Sequence, residues 1–199
     1  MKKHGKLLLK YLLLFVMTVF VMGCFSVSAA TKTGFVTQKG KTYYINKDGS
    51  KQKGWLELKG KKYYFDKKTG VQVKGWAKDS KGKRYFYNAN GAKGYMATGW
   101  LTDSKKNTRY FNPSTGYMTT KWATISNKKY YFYSGNGVAA KSTFLTDSKN
   151  VTRYFTSKCF MATGWATTST AKKRYFDPST GAMYTGFRKI GSYTYYFYK

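Results

Sequence analysis

Gly54-Trp55-Leu56-Glu57-Leu58-Lys59-Gly60-Lys61-Lys62-Tyr63-Tyr64-Phe65-Asp66 reads as one β-hairpin. Lys59-Gly60-Lys61 supplies turn chemistry, and the residues on either side favour strands. The two landmarks, Gly-Trp and the aromatic pair, recur along the chain. Gly34-Phe35, Gly54-Trp55, Gly75-Trp76, Gly99-Trp100, Lys121-Trp122, Thr143-Phe144, Gly164-Trp165 and Gly186-Phe187 follow one another every 20 to 24 residues. Their pairs are Tyr43-Tyr44, Tyr63-Tyr64, Tyr85-Phe86, Tyr110-Phe111, Tyr130-Tyr131, Tyr154-Phe155, Tyr175-Phe176 and Tyr195-Tyr196. A fixed period of this length marks a repeat architecture.

Hairpins three, four, six and seven carry longer tips, built on Asp79-Ser80, Asp103-Ser104, Asp147-Ser148 and Thr167-Thr168-Ser169. The insertion is expected to fall at the tip and leave the strands alone. Connections such as Asp177-Pro178-Ser179-Thr180-Gly181 use Gly49, Gly70, Gly94, Gly116, Gly137 and Gly181, which permit positive φ. Cys159 holds that slot in the sixth copy, which should be strained or differently turned. An isolated hairpin is marginal in water, so successive copies must bury their aromatics against one another. The expected fold is all-β, a solenoid of stacked hairpins over residues 31–199.

Residues 1–30 differ from the rest. Lys2, Lys3, Lys6 and Lys10 precede an apolar run from Tyr11 to Met22, which leads to Ser28-Ala29-Ala30. This is the pattern of a signal peptide, expected to be helical, with cleavage after Ala30; the run is short of the ~20 residues that span a membrane. Val21-Met22-Gly23-Cys24 offers a second route, lipidation at Cys24, which would anchor the chain to a membrane. Both routes export it. Only Cys159 remains beyond residue 30, so no internal disulfide is expected. The 37 Lys and Arg against 7 Asp and Glu give a net charge of +30, which attracts polyanions. For an exported chain these are teichoic acids or anionic lipids rather than nucleic acid.

The Gly54–Asp66 string, in eight copies covering residues 34–199, resembles the cell-wall-binding repeat of Gram-positive surface proteins, which includes choline-binding, glucan-binding and clostridial toxin-type repeats. The resemblance implies a superhelical hairpin solenoid that binds choline on teichoic acids, or glycans, in pockets between consecutive hairpins. In choline-binding members the Trp, an aromatic just before the Tyr pair, and an aromatic of the next repeat form the cage. Here that preceding position holds Thr42, Lys62, Arg84, Arg109, Lys129, Arg153, Arg174 and Thr194. Strand alternation sets Lys62 on the face of Tyr64 and Arg109 on that of Phe111. A cationic wall repels a quaternary ammonium, which is held by π faces, so choline is disfavoured; a sugar or anionic wall polymer fits better.

The expected ligand-binding residues are Trp55, Lys62 and Tyr64; Trp76, Arg84 and Phe86; Trp100, Arg109 and Phe111; Trp122, Lys129 and Tyr131; Trp165, Arg174 and Phe176. Met96, Met118, Met161 and Met183 share the slot four residues before the next Trp or Phe. By the resemblance they floor the pocket; as Met in general they fill gaps between hairpins. The Lys and Arg residues have two readings, polymer binding or solubility of an aromatic-rich surface.

Catalysis is not expected. The sole His, His4, lies in the signal segment, and most of the acids Asp48, Glu57, Asp66, Asp79, Asp103, Asp147 and Asp177 fall at turns, where Asp bonds local backbone. No metal or cofactor is expected. The reading is a secreted, noncovalent wall-binding module; the alternative is an adhesin or structural protein for host glycans or other extracellular polymers.

Overall fold

The computed structural model describes residues 33–87 and 94–198; the signal segment and Cys24 lie outside them. Sixteen strands form eight hairpins: β1 Gly34–Gln38 with β2 Lys41–Ile45, β3 Gly54–Leu58 with β4 Lys61–Phe65, β5 Gly75–Lys78 with β6 Arg84–Tyr87, β7 Gly99–Thr102 with β8 Thr108–Phe111, β9 Lys121–Ile125 with β10 Lys128–Phe132, β11 Thr143–Thr146 with β12 Thr152–Phe155, β13 Gly164–Thr167 with β14 Lys173–Phe176, and β15 Gly186–Ile190 with β16 Tyr193–Phe197. Each pair is its own two-stranded antiparallel sheet, and the described residues contain no helix.

Pairing fixes two faces for every hairpin. The residue of the Gly slot sits opposite a large side chain: Gly54 opposite Phe65, Gly75 opposite Tyr87, Gly99 opposite Phe111, Lys121 opposite Phe132, Thr143 opposite Phe155 and Gly164 opposite Phe176. Those six side chains are the largest fully buried groups among the described residues. The next position carries the Trp or Phe, whose side chain points to the opposite face because strand residues alternate. The Trp face of one hairpin lies on the Phe face of the next: Trp76 meets Phe111 at 6.0 Å between ring centroids, Trp100 meets Phe132 at 5.9 Å and Trp122 meets Phe155 at 5.7 Å. Each interface completes a core that neither hairpin holds alone, and this is the physical reason for the solenoid. On hairpin 8 the Trp face is uncovered among the described residues, and Phe187 is 72% exposed.

Backbone bonds lock the stack. The residue that follows hairpin n+1 donates its N–H back to hairpin n: Met96 to Lys62 O, Met118 to Arg84 O, Ala139 to Thr108 O, Met161 to Lys129 O and Met183 to Thr152 O, at 2.7–2.8 Å. The connection carries a residue with positive φ, which is Gly at 49, 70, 116, 137 and 181. In the sixth copy Cys159 takes this conformation with φ 69°, uncommon for a residue with a Cβ. Its turn is also one residue shorter, closing from Thr156 N to Phe160 O where the seventh closes from Asp177 N to Ala182 O. The sixth copy is thus both strained and differently turned.

The long tips in hairpins 3, 4, 6 and 7 share one closure, Asp79 N to Lys83 O, Asp103 N to Asn107 O, Asp147 N to Val151 O and Thr168 N to Lys172 O. They do more than extend the tip. Gly54 and Phe65 are separated by one residue fewer than Gly99 and Phe111, so the returning strand is displaced by one position along the sequence. A shift of one residue exchanges the faces of a strand.

Candidate functional site

Trp55, Trp76, Trp100, Trp122 and Trp165 are each between 40% and 49% exposed, although every one packs against two hairpins. Within its own hairpin each Trp lies across from an aromatic, Tyr64, Phe86, Tyr110, Tyr131 or Tyr175, at 5.0–5.3 Å and close to edge-on. At Trp55, Trp76 and Trp122 the remaining indole surface opens on a cavity between hairpins, where an edge-to-face geometry leaves a π face available.

The next hairpin adds one residue that leans over this indole. It is the residue two before the buried aromatic. At Phe35 it is Tyr63, at Trp55 Tyr85, at Trp100 Tyr130 and at Trp165 Tyr195, with centroids 5.1, 6.2, 4.9 and 5.1 Å apart. At Trp76 it is Arg109, at Trp122 Arg153 and at Phe144 Arg174, with the guanidinium carbon 5.2, 5.7 and 5.9 Å from the ring. Four interfaces therefore have a tyrosine wall and three an arginine wall.

Lys62 shares the face of Tyr64 and Arg109 that of Phe111, as expected, but the two faces are not the same one. Lys62, Arg84 and Lys129 do lie on the Trp face, opposite Glu57, Lys78 and Thr124. Arg109, Arg153 and Arg174 lie opposite Leu101, Leu145 and Ala166, on the Phe face, and serve the preceding hairpin's aromatic instead of their own. The equivalents of Lys62 in those copies are Thr108, Thr152 and Lys173. Phe111 and Phe176, expected to touch ligand, are fully buried core groups with no surface to offer. Tyr64, Phe86 and Tyr131 stand on the Trp face as expected.

The four methionines differ in what they touch. Met96 lines the cavity at Trp55, and Met161 the one at Trp122. Met96, Met118 and Met161 also rest on Gly116, Gly137 and Gly181 of the following connection, so close that a Cβ there would stand 2.3–2.6 Å from Met sulfur or methyl. Met183 is half-buried and accepts a 3.7 Å contact from Arg174 Nη1.

Two of the arginine walls are built alike. Arg109 donates Nη1 to Asp103 at 2.8 Å and Nε to Asn136 O at 2.9 Å. Arg153 donates Nη1 to Asp147 at 2.8 Å and Nε to Thr180 O at 2.9 Å. The aspartates come from the long tips, where Asp103 also accepts from Asn107 N and Asp147 from Lys149 N and Val151 N. Hydrogen bonding to Arg109 and to backbone holds the Asp103 carboxyl down to about 2; the Arg153 side chain and backbone amides lower Asp147 likewise. Among the described residues these are the two ion pairs within 4 Å, so the other described Lys and Arg residues have no described carboxylate at that range. Arg174 has Thr168 where the others have Asp, and its buried Nε has no partner among the described residues.

The cavities follow these walls. One of about 630 Å³ is lined by Trp76, Lys78, Arg84, Arg109 and Asn136. A second of about 490 Å³ includes Trp122, Lys129, Arg153, Ser179 and Thr180. A third of about 300 Å³ joins Trp55, Glu57, Lys62, Met96 and Thr115. The first two each draw on three successive hairpins: the Trp from the first, an arginine wall from the second, and the floor from the connection after the third.

A model described as the choline-binding repeat matches residues 32–70, 57–93 and 145–185, more than half of the chain, and a cell wall binding repeat model matches residues 120–139. Among solved structures the chain is similar to choline binding protein F from Streptococcus pneumoniae, with a TM-score of 0.69 and 28% identity over 83% of this chain and 56% of that one. The same figures hold for that protein crystallised in the presence of a peptidoglycan analogue, a tetrasaccharide-pentapeptide. CbpJ from Streptococcus pneumoniae TIGR4 matches with a TM-score of 0.65 and 25% identity over 84% of this chain and 64% of that one. The chain thus spans less than two thirds of the length of these proteins. No curated protein sequence matches it.

Proposed function

This chain belongs to the choline-binding repeat family, and from that premise we propose that it is a secreted, non-catalytic module that attaches noncovalently to the polymers of a Gram-positive cell wall. The observation that carries this reading is the row of half-exposed tryptophans, each set in a groove between hairpins with a tyrosine or arginine wall. Aromatic faces beside hydrogen-bonding cations suit a sugar ring that carries hydroxyl, phosphate or carboxylate groups. Repetition along one chain multiplies weak sites by avidity, which exceeds a single affinity by roughly 10²–10⁴ when several engage together. Teichoic acid or another wall glycan is the polymer this chemistry favours.

Choline gains a place at one interface. Trp100, Tyr110 and Tyr130 meet at 4.9–5.0 Å, and the position that is Lys62 in the second hairpin is Thr108 there. Aromatic faces without an adjacent basic side chain from that slot are what a quaternary ammonium requires. The case against choline therefore holds at the arginine-walled grooves and at Trp55 and Trp165, where Lys62 and Lys173 stand beside the indole, and not at this one.

The test is co-sedimentation of the purified protein with purified cell walls. Retention is expected to persist at about 1 M NaCl, where the Debye length has fallen to ~3 Å and binding by charge alone is screened. Partial release by free choline would assign part of the retention to the Trp100 interface. Complete loss on raising salt would reduce the interaction to charge and overturn the proposal.

A further inference from the structure

We propose that the grooves at Trp76 and Trp122 form a separate class of subsite, each accepting one anionic sugar residue with its ring on the indole and its phosphate or carboxylate on the basic pair beside it. The inference rests on the wall-binding reading and specifies the chemistry of two of its pockets.

Three observations carry it. First, both grooves gather more than one basic side chain, where Trp165 has Lys173 alone over its ring. Lys78, Arg84 and Arg109 surround the Trp76 groove against the single carboxylate of Asp103, while the Trp55 groove has Glu57 and Lys62 in balance. Lys129 and Arg153 oppose Asp147 at Trp122. Second, the construction repeats. In both grooves the two cations come from consecutive hairpins and reach two adjacent carbonyls of one connection: Arg84 and Arg109 donate to Gly135 O and Asn136 O, and Lys129 and Arg153 to Ser179 O and Thr180 O. Third, the arginines are held in place. Asp103 and the Asn136 carbonyl take Nη1 and Nε of Arg109, and Asp147 and the Thr180 carbonyl take the same atoms of Arg153. Among the described residues Nη2 of each makes no hydrogen bond and is left for a ligand oxygen.

The aspartates are positioning residues in this account. The long tip that supplies them occurs in hairpins 4 and 6, and these are the hairpins whose wall residue is an arginine over a tryptophan. In hairpin 3 the same tip places Asp79 beside the hydroxyl of the wall Tyr85, at 3.3 Å. One tip geometry thus fixes either kind of wall. A preorganised guanidinium loses less freedom on binding an anion than a mobile one.

The experiment follows the five indole N–H resonances of the purified protein, assigned by single Trp→Phe variants, in about 0.15 M salt. The probes are glucose 1-phosphate and glucose. Glucose 1-phosphate is expected to shift the Trp76 and Trp122 signals, with Trp55, Trp100 and Trp165 moving little, and glucose alone to shift none comparably. Arg109→Tyr should weaken the response at Trp76 by about tenfold and leave Trp122 unchanged. Tyrosine already fills this slot at Tyr85 and Tyr130, so the fold tolerates the exchange, and an unchanged melting curve checks it. Equal shifts with glucose, equal shifts at all five indoles, no shift at all, or an Arg109→Tyr variant that still responds at Trp76 would each overturn the assignment. Retention on cell walls, measured in parallel, separates the two proposals: if it survives, only the anion subsites fall, and if it is absent, the wall-binding reading falls as well.

Discussion

Phe111→Ala lowers the stability of the chain by about 3–5 kcal/mol, the cost of emptying a closed aromatic site. Phe111 is fully buried, pairs with Gly99, and lies 6.0 Å from Trp76 and 6.4 Å from Phe86 of the preceding hairpin. Its removal opens the interface between hairpins 3 and 4, and in a stack held by nearest-neighbour contacts an open interface uncouples the two sides. Urea unfolding of the variant should therefore show a lower midpoint and a broader or divided transition. Phe187→Ala is the matching control, since Phe187 is 72% exposed, and it should stay within about 0.5 kcal/mol of the parent. Equal destabilisation by both changes would show that the interfaces do not carry the stability assigned to them.

The triple variant Trp55→Leu, Trp76→Leu, Trp122→Leu loses retention on cell walls by about 10²-fold or more. Leu keeps apolar volume against the next hairpin and removes the π face. If each groove contributes one weak contact, loss of three among five removes most of the avidity, while a single substitution costs only a small factor. Circular dichroism of the aromatic region and the melting temperature would report whether the stack persists. A folded triple variant that binds walls as well as the parent would place the contact somewhere other than the indoles.

Much of this architecture is legible in the sequence because its determinants are local. Gly54-Trp55 and Tyr63-Tyr64-Phe65 contain both faces of a hairpin, and the 20-to-24-residue period counts the hairpins. The sixth connection also behaves as Cys159 implies, with a positive φ and a shorter turn. What the sequence conceals is the register of the long-tipped copies. Arg84-Tyr85-Phe86 and Arg109-Tyr110-Phe111 are the same three letters, yet Arg84 pairs with Lys78 on the Trp face and Arg109 with Leu101 on the Phe face. The first tyrosine of the motif has become arginine in hairpins 4, 6 and 7, and matching copies on their Tyr-Phe pair hides that exchange. Counting back from the buried aromatic that faces the glycine slot recovers it. The walls themselves are products of stacking: which arginine covers which tryptophan depends on the neighbour, and no single repeat states it.

The most direct measurement of the central claim is the indole N–H spectrum of the purified protein titrated with wall polymer solubilised from purified cell walls. Several of the five indole signals, from Trp55, Trp76, Trp100, Trp122 and Trp165, are expected to shift or broaden together, and still to do so at about 1 M salt. Unmoved indoles alongside demonstrable polymer binding would contradict it, because the polymer would then be held by surface lysines and the aromatic grooves would be structural alone.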